Sequence, residues 1–530
     1  MNTFLQQLLV VILLSTSNLT SASNTDSNKV AYVNPLENKL TLKDCHLDGI
    51  KAQVKCGSLQ VPENYSLDNG EQISINFAIL PAIDDSDKKT PLMFLAGGPG
   101  QAAVELAAGL RRAFSEIRKT RDIILVDQRG TGKSHPLACR DISGDQNIYQ
   151  MVPEDFSEQD INDCLAEFTG DLSQYNSENA IRDFDAVRDV LGHQQINIYG
   201  GSYGTRAGLV YMRMFPDSLR SVVLDSVGPI EVPIGLFGQS SAQSFKRLLE
   251  HCQQEKGCNN AYPNLADEFQ QLMTRLAEKS VTVTIPHPRL GTHTEFVISK
   301  SKMLGIIFQQ LYSVASRHLV PLIIHQAYLD NYMPLAGLIA MTDGVQLAYI
   351  GLLFNITCNE DFPKITAQMS AKDADNSFGG DDSQLGFKKA CSVWPQYRPG
   401  KAFYQAVTAD IPTLILSGGL DPVTPPSNGD FSAATIPNSH HIIVDNVSHG
   451  VATSTGSCGV LIINEFLSTL TPKTLDETCL EDVPVESFMT SLNGGGSLSG
   501  TIALKDSDTM KENTLNETNS VKDNNSKGNQ

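Results

Sequence analysis

The 530-residue chain lacks several features that define common classes of protein. Its formal net charge is −19, and no cluster of lysine and arginine supplies the basic face that nucleic-acid phosphates require. A helix needs about 20 apolar residues to cross a bilayer, and beyond the first residues no apolar run approaches this length. No CxxC pair is present, which disfavours a structural zinc site. The remaining composition, 41% hydrophobic and 19% charged, is that of a globular protein whose acidity serves solubility.

The first residues are typical of a signal peptide. An apolar run from Leu8 to Leu14 is followed by small polar residues and Ala22. Seven apolar residues are too few to span a bilayer, and we expect cleavage near Ala22, although no lysine or arginine precedes the run. Residues 1–22 therefore predict an exported protein, periplasmic or extracellular.

The cysteine count agrees with export. The chain has ten cysteines, and an even set persists as disulfides in an oxidising compartment. Ten cysteines allow many connectivities, between which the sequence alone does not choose. Sequential local pairing would join Cys45 with Cys56, Cys139 with Cys164, Cys252 with Cys258, Cys358 with Cys391, and Cys458 with Cys479.

Strand signals alternate with helix signals in two parts of the chain, 40–227 and 402–491. The runs "PLMFLAGGPG" and "DIILVDQRG" each end in glycine, and such runs are typical of strands covered on both faces. Their alternation with helical segments predicts a mostly parallel sheet with helices on both faces. An alternating pattern from Leu59 to Leu80, around the turn "SLDNG", predicts an antiparallel hairpin at its start.

Two other segments differ from this pattern. Residues 228–401 carry amphipathic helical runs and few strand signals, which predicts a helical lid inserted over the catalytic edge of the sheet. Residues 492–530 are glycine-rich and then polar, with too little apolar content to form a core. We expect this tail to be disordered.

Ser202 is the candidate nucleophile. It lies in "INIYGGSYGTRAG", a GxSxG pattern between a predicted strand and a predicted helix. A sharp turn at this point lifts the hydroxyl clear of the sheet, and glycine neighbours allow the helix to pack closely. The pattern alone is weak, since a turn serine is the alternative, but the strand–turn–helix context strengthens it.

A serine nucleophile needs a histidine base that is oriented by a carboxylate. His449, in "VSHGV" after a predicted strand, is the candidate base, whereas His440 and His441 begin that strand and fit structural roles. Asp421, in "LILSGGLDPVTPP", is the candidate acid because it directly follows an apolar strand. Asp225, at the end of "SVVLDSV", is the rival acid.

Two backbone amides are candidates for stabilising the oxyanion of acyl transfer. One belongs to Tyr203, which follows the serine. The other comes from Gly97 or Gly98 in "AGGPG", for which a tight turn is the alternative interpretation.

The segment "DQRGTGKS" does not satisfy a phosphate-binding P-loop. That motif requires glycine five positions before Gly132, where this chain has Asp127. The segment is better interpreted as a turn that borders the active-site edge.

The motifs "GGPGQ", "DQRGTGKS" and "GGSYGT", with Asp421 and His449 following in order, resemble the proline iminopeptidase and tripeptidyl aminopeptidase group of serine peptidases. The resemblance covers residues 40–479, and the late segment 394–479 is closer to the tripeptidyl-aminopeptidase-like branch. Ala96 departs from proline iminopeptidases, which usually have histidine before GGPG.

This resemblance implies an α/β-hydrolase fold and an aminopeptidase that acts through a Ser–His–Asp acyl-enzyme mechanism without metal or organic cofactor. It also implies that carboxylates of the lid bind the substrate's ammonium group; the candidates are Glu360 and Asp361 in "ITCNED", anchored by Cys358. Solvated loop acids are the alternative. A carboxylesterase with the same triad and a non-catalytic binding protein are the competing functions, and the intact Ser, Asp and His disfavour the latter.

Overall fold

The computed structural model describes residues 40–86, 88–139, 157–287, 291–342, 348–379, 385–485 and 487–492. The predicted signal peptide lies outside these ranges, as does the predicted tail apart from Leu492. No helix within these ranges has the length and apolar character needed to cross a membrane.

A nine-stranded sheet forms the centre of the molecule. Its strands are β1 (Leu40–Cys45), β2 (Val54–Pro62), β3 (Gln72–Leu80), β4 (Lys89–Leu95), β5 (Arg121–Val126), β6 (Ile196–Gly201), β7 (Leu219–Asp225), β10 (Thr413–Gly418) and β11 (Ser439–Val444); β8 (Val281–Pro286) and β9 (His293–Ile298) form a separate antiparallel pair. The order in the sheet is β1-β2-β3-β5-β4-β6-β7-β10-β11. The pairs β1–β2, β2–β3 and β3–β5 are antiparallel, and the other pairs are parallel. The prediction of a mostly parallel sheet is confirmed.

Helices connect the strands and cover the sheet. They are α1 (Ala107–Ala113), α2 (Glu158–Ala166), α3 (Ser177–Val190), α4 (Tyr203–Met214), α5 (Gly238–Gln254), α6 (Lys256–Ala261), α7 (Leu265–Glu278), α8 (Lys300–Leu311), α9 (Val314–Arg317), α10 (Val320–Tyr328), α11 (Met333–Thr342), α12 (Ile350–Ile356), α13 (Ala367–Ala374), α14 (Leu385–Val393), α15 (Pro426–Ala433), α16 (Val451–Ser454) and α17 (Cys458–Thr469).

The central strands are apolar throughout because both faces of the sheet are covered. In β5, Ile124 and Val126 belong to a core shared with α3 and α4, whereas Ile123 and Leu125 belong to a core shared with α1 and α17. Successive side chains of a strand point to opposite faces, so a continuous apolar run supplies both cores. The predicted coverage by helices on both faces is confirmed.

Residues 226–412, which we call the insertion, lie between β7 and β10 and contain α5 to α14. Side chains of α5, α7, α8 and α10 share a hydrophobic core that includes Leu248, Leu272, Ile307 and Ile324. The β8–β9 hairpin also lies here, so the expectation of few strands was incomplete. The predicted domain boundaries stay a prediction.

Five disulfides are present, and they join the sequential pairs proposed from the sequence. Each closes a short loop, from 6 to 33 residues in sequence separation. They therefore fix local segments rather than connecting distant parts of the chain.

Candidate active site

The sharp turn predicted at Ser202 is present. Ser202 lies between β6 and α4 with φ +56° and ψ −124°, a strained conformation for a residue other than glycine. A Cβ added at Gly200 would lie 2.3 Å from the carbonyl oxygen of Gly204, and one added at Gly204 would lie 2.0 Å from that of Leu95. The two glycines are therefore required sterically, because no side chain fits between the strand, the turn and the helix.

The backbone of Ser202 is held on both sides. Its amide donates to the carbonyl oxygen of Asp225 at 2.9 Å, and its carbonyl oxygen accepts from the amide of Thr205, also at 2.9 Å. Among the described residues, none forms a hydrogen bond with Ser202 Oγ. The contact between this hydroxyl and the base thus stays a prediction.

His449 and Asp421 form a direct pair. His449 Nδ1 lies 2.8 Å from Asp421 Oδ2, and the Asp421 side chain has no exposed surface. The same carboxylate accepts hydrogen bonds from the amides of Val423 and Thr424 and from the hydroxyl of Thr424. Oriented in this way, the ring presents Nε2 as the nitrogen free to act as a base.

The surroundings change the pKa values of both partners in the direction that base catalysis needs. Burial alone would lower the pKa of His449, but the charge and hydrogen bond of Asp421, with a smaller contribution from Asp225, raise it above the ordinary 6.5. Burial alone would raise the pKa of Asp421, but His449 and the Thr424 donors lower it. Asp421 is therefore ionised at neutral pH, and its charge favours the protonated form of His449.

Within the described residues, Asp225, the rival acid, forms no hydrogen bond with the imidazole; it connects the turn at Ser202 to the loop of His449. Its carboxylate accepts from the amides of Val451 and Ala452 at 2.8 and 2.9 Å and from the hydroxyl of Tyr199 at 2.6 Å. Its carbonyl oxygen accepts from Ser202, as described above. Ser202 and the chain just after His449 are thus anchored to the same residue.

The proposed oxyanion donors lie beside the turn. Tyr203 is the first residue of α4, so its amide has no partner within the helix. A Cβ added at Gly97 would lie 3.2 Å from Ser202 Cβ, which shows how closely the glycine loop approaches the nucleophile. The Gly97 amide donates to Gln101 Oε1 at 3.1 Å, so this donor becomes available to a substrate only when that side chain moves.

The structure places Glu360 and Asp361 in a π-helical turn, Thr357–Asp361, where both are wholly buried. Glu360 accepts from the amide and the hydroxyl of Ser177 at 2.8 and 2.6 Å, and Ser177 Oγ in turn contacts the hydroxyl of Tyr203 at 2.8 Å. Burial raises the pKa of Glu360 to about 7. The alternative that these are solvated loop acids is wrong, since neither is exposed.

Asp361 forms a buried ion pair with a residue of the helix that follows the nucleophile. Its two carboxylate oxygens lie 2.7 and 2.8 Å from the same guanidinium nitrogen of Arg206, and neither side chain is exposed. The second terminal nitrogen of Arg206 donates to the carbonyl oxygens of Pro229 and Val232. Asp361 therefore joins the π turn of the insertion to α4.

Replacing Asp361 with asparagine is expected to lower the free energy of unfolding by about 3–5 kcal/mol, because it removes the carboxylate that pairs directly with the buried Arg206 guanidinium. Urea denaturation followed by circular dichroism measures this loss. The matched control is Glu250→Gln, which alters a solvent-exposed pair with Lys246 and should change stability little. A loss for Asp361→Asn no larger than the control's would contradict the structural role.

The "DQRGTGKS" segment forms structural contacts with neighbouring elements of the sheet domain. Arg129 is wholly buried and forms an ion pair with Asp183 of α3 at 2.7 Å. Asp127 accepts from the amide of Val104 and the side chain of Asn76. These contacts connect the segment to α3, to β3 and to the short helical turn that begins at Val104.

Sequence reasoning missed two residues that contact the histidine. Thr424 Oγ1 lies 3.2 Å from His449 Nδ1, and the Tyr312 ring meets the imidazole edge to face with centroids 5.2 Å apart. Thr424 could have been noted three positions after Asp421 in "DPVTPP", but nothing in the sequence points to Tyr312. No group of side chains within the described ranges could hold a metal ion.

Comparison with known proteins agrees with the fold of the sheet and its helices. Residues 90–281 match a family model described as alpha/beta hydrolase fold, and residues 377–479 match one described as TAP-like protein. The serine protease Hip1 of Mycobacterium tuberculosis (strain ATCC 25618 / H37Rv) is 25% identical over 454 residues, which cover 78% of this chain and 84% of Hip1. These matches show the fold and confirm the resemblance drawn from the motifs.

Two further relatives match over shorter stretches. The tripeptidyl aminopeptidase of Streptomyces lividans is 29% identical over 35% of this chain and 37% of its own length. The protein YuaR of Escherichia coli (strain K12) is 26% identical over 43% of this chain. The chain spans about half the length of YuaR, 49%.

Proposed function

We propose that this chain, a serine hydrolase of the α/β-hydrolase fold with a TAP-like C-terminal segment, is an exported aminopeptidase that cleaves peptides from a free N-terminus. The observation that carries the proposal is the 2.8 Å hydrogen bond between His449 Nδ1 and the buried Asp421 carboxylate. The strained turn at Ser202 and the relatives named serine protease and tripeptidyl aminopeptidase support it.

In the proposed reaction, Ser202 Oγ attacks the carbonyl carbon of the scissile bond while His449 Nε2 takes the hydroxyl proton. The Tyr203 amide and an amide of the glycine loop donate to the oxyanion. The imidazolium then returns the proton to the leaving amine, and the acyl-enzyme forms. Water, deprotonated by the same histidine, hydrolyses the acyl-enzyme and restores the serine.

Export is supported by the five disulfides, because such bonds persist in oxidising compartments. The predicted signal peptide is the second support. We place the protein in the periplasm or outside the cell.

Recognition of a free N-terminus requires an anionic group at a fixed distance from Ser202. Of the two carboxylates suggested for this role, that of Asp361 already forms an ion pair with Arg206. Glu360 is the better candidate because the groups that donate hydrogen bonds to it, from Ser177 and the hydroxyl of Tyr397, are neutral. Glu360 has no exposed surface. A substrate ammonium group can therefore reach it only when the π turn of the insertion moves.

An amino-acid or tripeptide arylamide with a free amine is expected to be hydrolysed about 10- to 100-fold faster, in kcat/KM, than its N-acetylated form. Loss of a charge-assisted hydrogen bond of up to about 3 kcal/mol accounts for this factor. Release of the arylamine is followed by absorbance. A matched series of aryl esters, with and without an N-acetyl group, is the control for intrinsic ester reactivity.

The same measurements test the competing carboxylesterase. If the free and acetylated substrates are hydrolysed at equal rates, and esters much faster than amides, the aminopeptidase proposal is wrong and the protein is a carboxylesterase. Mass spectrometry of the products from unblocked peptides then gives the number of residues released in each cleavage.

A further inference from the structure

Three polar side chains on one face of α5 point to the loop that carries Asp421. Ser240, Ser244 and Arg247, which we call the α5 stripe, are spaced at positions i, i+4 and i+7 and therefore lie along one side of the helix. α5 belongs to the insertion, whereas the loop follows β10 of the sheet. The stripe is thus a contact between the insertion and the sheet domain.

Each member of the α5 stripe donates to a different carbonyl oxygen of this loop. Arg247 donates to Gly419 at 2.6 Å, Ser244 to Leu420 at 2.6 Å, and Ser240 to Pro422 at 2.7 Å. The carbonyl groups on either side of Asp421 are therefore held by the insertion. Ser241 Oγ also lies 3.1 Å from the Pro422 carbonyl oxygen, but its shorter hydrogen bond, at 2.6 Å, goes to the carbonyl oxygen of Phe237.

The end of α8, also in the insertion, holds the loop of the histidine. The amide of His449 donates to the carbonyl oxygen of Tyr312 at 3.1 Å. The hydroxyl of Ser448 donates to the carbonyl oxygen of Leu311. The Tyr312 ring lies against the imidazole. Two of the three proposed catalytic groups thus lie on loops whose backbone is bonded to the insertion.

A buried arginine of the insertion supports the central residue of the α5 stripe. Arg317 of α9 is wholly buried and donates to the carbonyl oxygen and the hydroxyl of Ser244 at 3.1 and 3.0 Å. It therefore orients the central hydroxyl of the stripe toward Leu420. Such an arrangement is more specific than general packing, because each of the three stripe donors ends on the loop that carries Asp421.

We infer that the insertion positions Asp421 and His449 through the α5 stripe and Tyr312, so that its docking on the sheet sets the alignment of the acid with the base. The inference rests on the proposed triad. The stripe residues touch no reacting atom and are positioning residues. Any movement of α5 away from the sheet breaks the hydrogen bonds on both sides of Asp421, which links the position of the insertion to catalytic competence.

The test compares Arg247→Met, which removes a donor from the half-exposed end of the stripe, with Arg247→Lys, which keeps one. Arg247→Met is expected to lower kcat about 10-fold with KM unchanged, since a shift of about 1 Å in a catalytic group costs up to about 100-fold. Arg247→Lys should recover most of this loss. Gln243→Ala, an exposed position on the same helix, is the control and should match the wild type.

A second readout separates positioning from a merely structural role. The ring of His449 faces Asp421, Thr424 and Tyr312, with Asp225 nearby. Weaker alignment with Asp421 shifts the acid limb of the kcat/KM profile to lower pH. Ser240→Ala, at the other half-exposed end, should shift it in the same direction, and because both sites are only half-buried these variants are expected to fold.

Rates are expressed per active site, counted by titration with a fluorophosphonate, and measured on an ester and on an arylamide. Unchanged kcat and an unchanged acid limb in both variants, or a change in melting temperature alone, would overturn the inference. Ser202→Ala, assayed in parallel, tests the proposed triad itself: if it keeps activity the triad fails, whereas if it is inactive and the stripe variants are normal, only the inference fails.

Discussion

Replacing Ser202 with alanine is expected to lower kcat by about four orders of magnitude or more while leaving the fold and substrate binding intact. The substitution removes the hydroxyl proposed as the nucleophile, and it leaves the backbone bonds to Asp225 and Thr205 in place. The residual rate would come from the oxyanion donors and from binding of the substrate.

The measurement is steady-state hydrolysis of an aryl ester and an arylamide, with circular dichroism to verify the fold. Alanine and serine both carry a Cβ and are strained about equally by the positive φ at this position, so a large loss of stability is not expected from the side-chain change. Ser218→Ala is the matched control, because Ser218 lies in the turn before β7, at the edge of the sheet opposite to the nucleophile. Its activity should equal that of the wild type.

Two outcomes would contradict this prediction. Retained hydrolysis in Ser202→Ala would remove Ser202 from the mechanism. A wild-type protein that hydrolyses neither substrate and does not react with a fluorophosphonate would instead support the non-catalytic binding protein.

Sequence patterns predicted those parts of the fold that depend on residues close to one another along the chain. The β2–β3 hairpin follows from the alternation around "SLDNG", and Pro62 pairs with Gln72 on either side of that turn. The turn at Ser202 follows from glycines whose replacement would bring a Cβ within 2.0–2.3 Å of backbone. The disulfides join the nearest cysteines along the chain.

Long-range contacts could not be predicted in the same way. The bonds between the α5 stripe and the Asp421 loop join residues 172 to 182 positions apart, and no periodicity in one segment identifies its partner in another. The exact roles of Asp225 and Asp361 also depend on such contacts, since the sequence identifies a carboxylate but not the donors around it. β8 and β9 were missed because the two short alternating runs stand within a long helical region, where the helical signal dominated the interpretation.

Replacing Asp421 with asparagine is expected to lower kcat by about four orders of magnitude at pH 7, close to the effect of losing the nucleophile. The asparagine keeps the volume, but it presents either a neutral oxygen or an amide donor to His449 Nδ1. The donor favours the tautomer that carries its proton on Nε2, which cannot accept the proton of Ser202. Initial rates with an arylamide measure the loss.

The rival carboxylate provides the matched control. Asp225→Asn is expected to lower kcat only about 10-fold, because Asp225 binds the amides of Val451 and Ala452 rather than the ring of His449, and an asparagine oxygen can still accept one of these bonds. If Asp225→Asn proved the more damaging substitution, the assignment of the acid would be reversed.

The pH profile distinguishes the two carboxylates further. Asp421 and Asp225 both raise the pKa of His449, and Asp421 does so more strongly. Because the neutral imidazole is the active base, kcat/KM in the wild type should fall as the pH decreases through a midpoint above 6.5, the ordinary value. Removing the charge of Asp421 lowers the pKa of His449, so the residual activity of Asp421→Asn should persist to lower pH; Asp225→Asn should shift the midpoint in the same direction by less. A midpoint that stays in place in Asp421→Asn would mean that the titrating group is not the histidine paired with this aspartate.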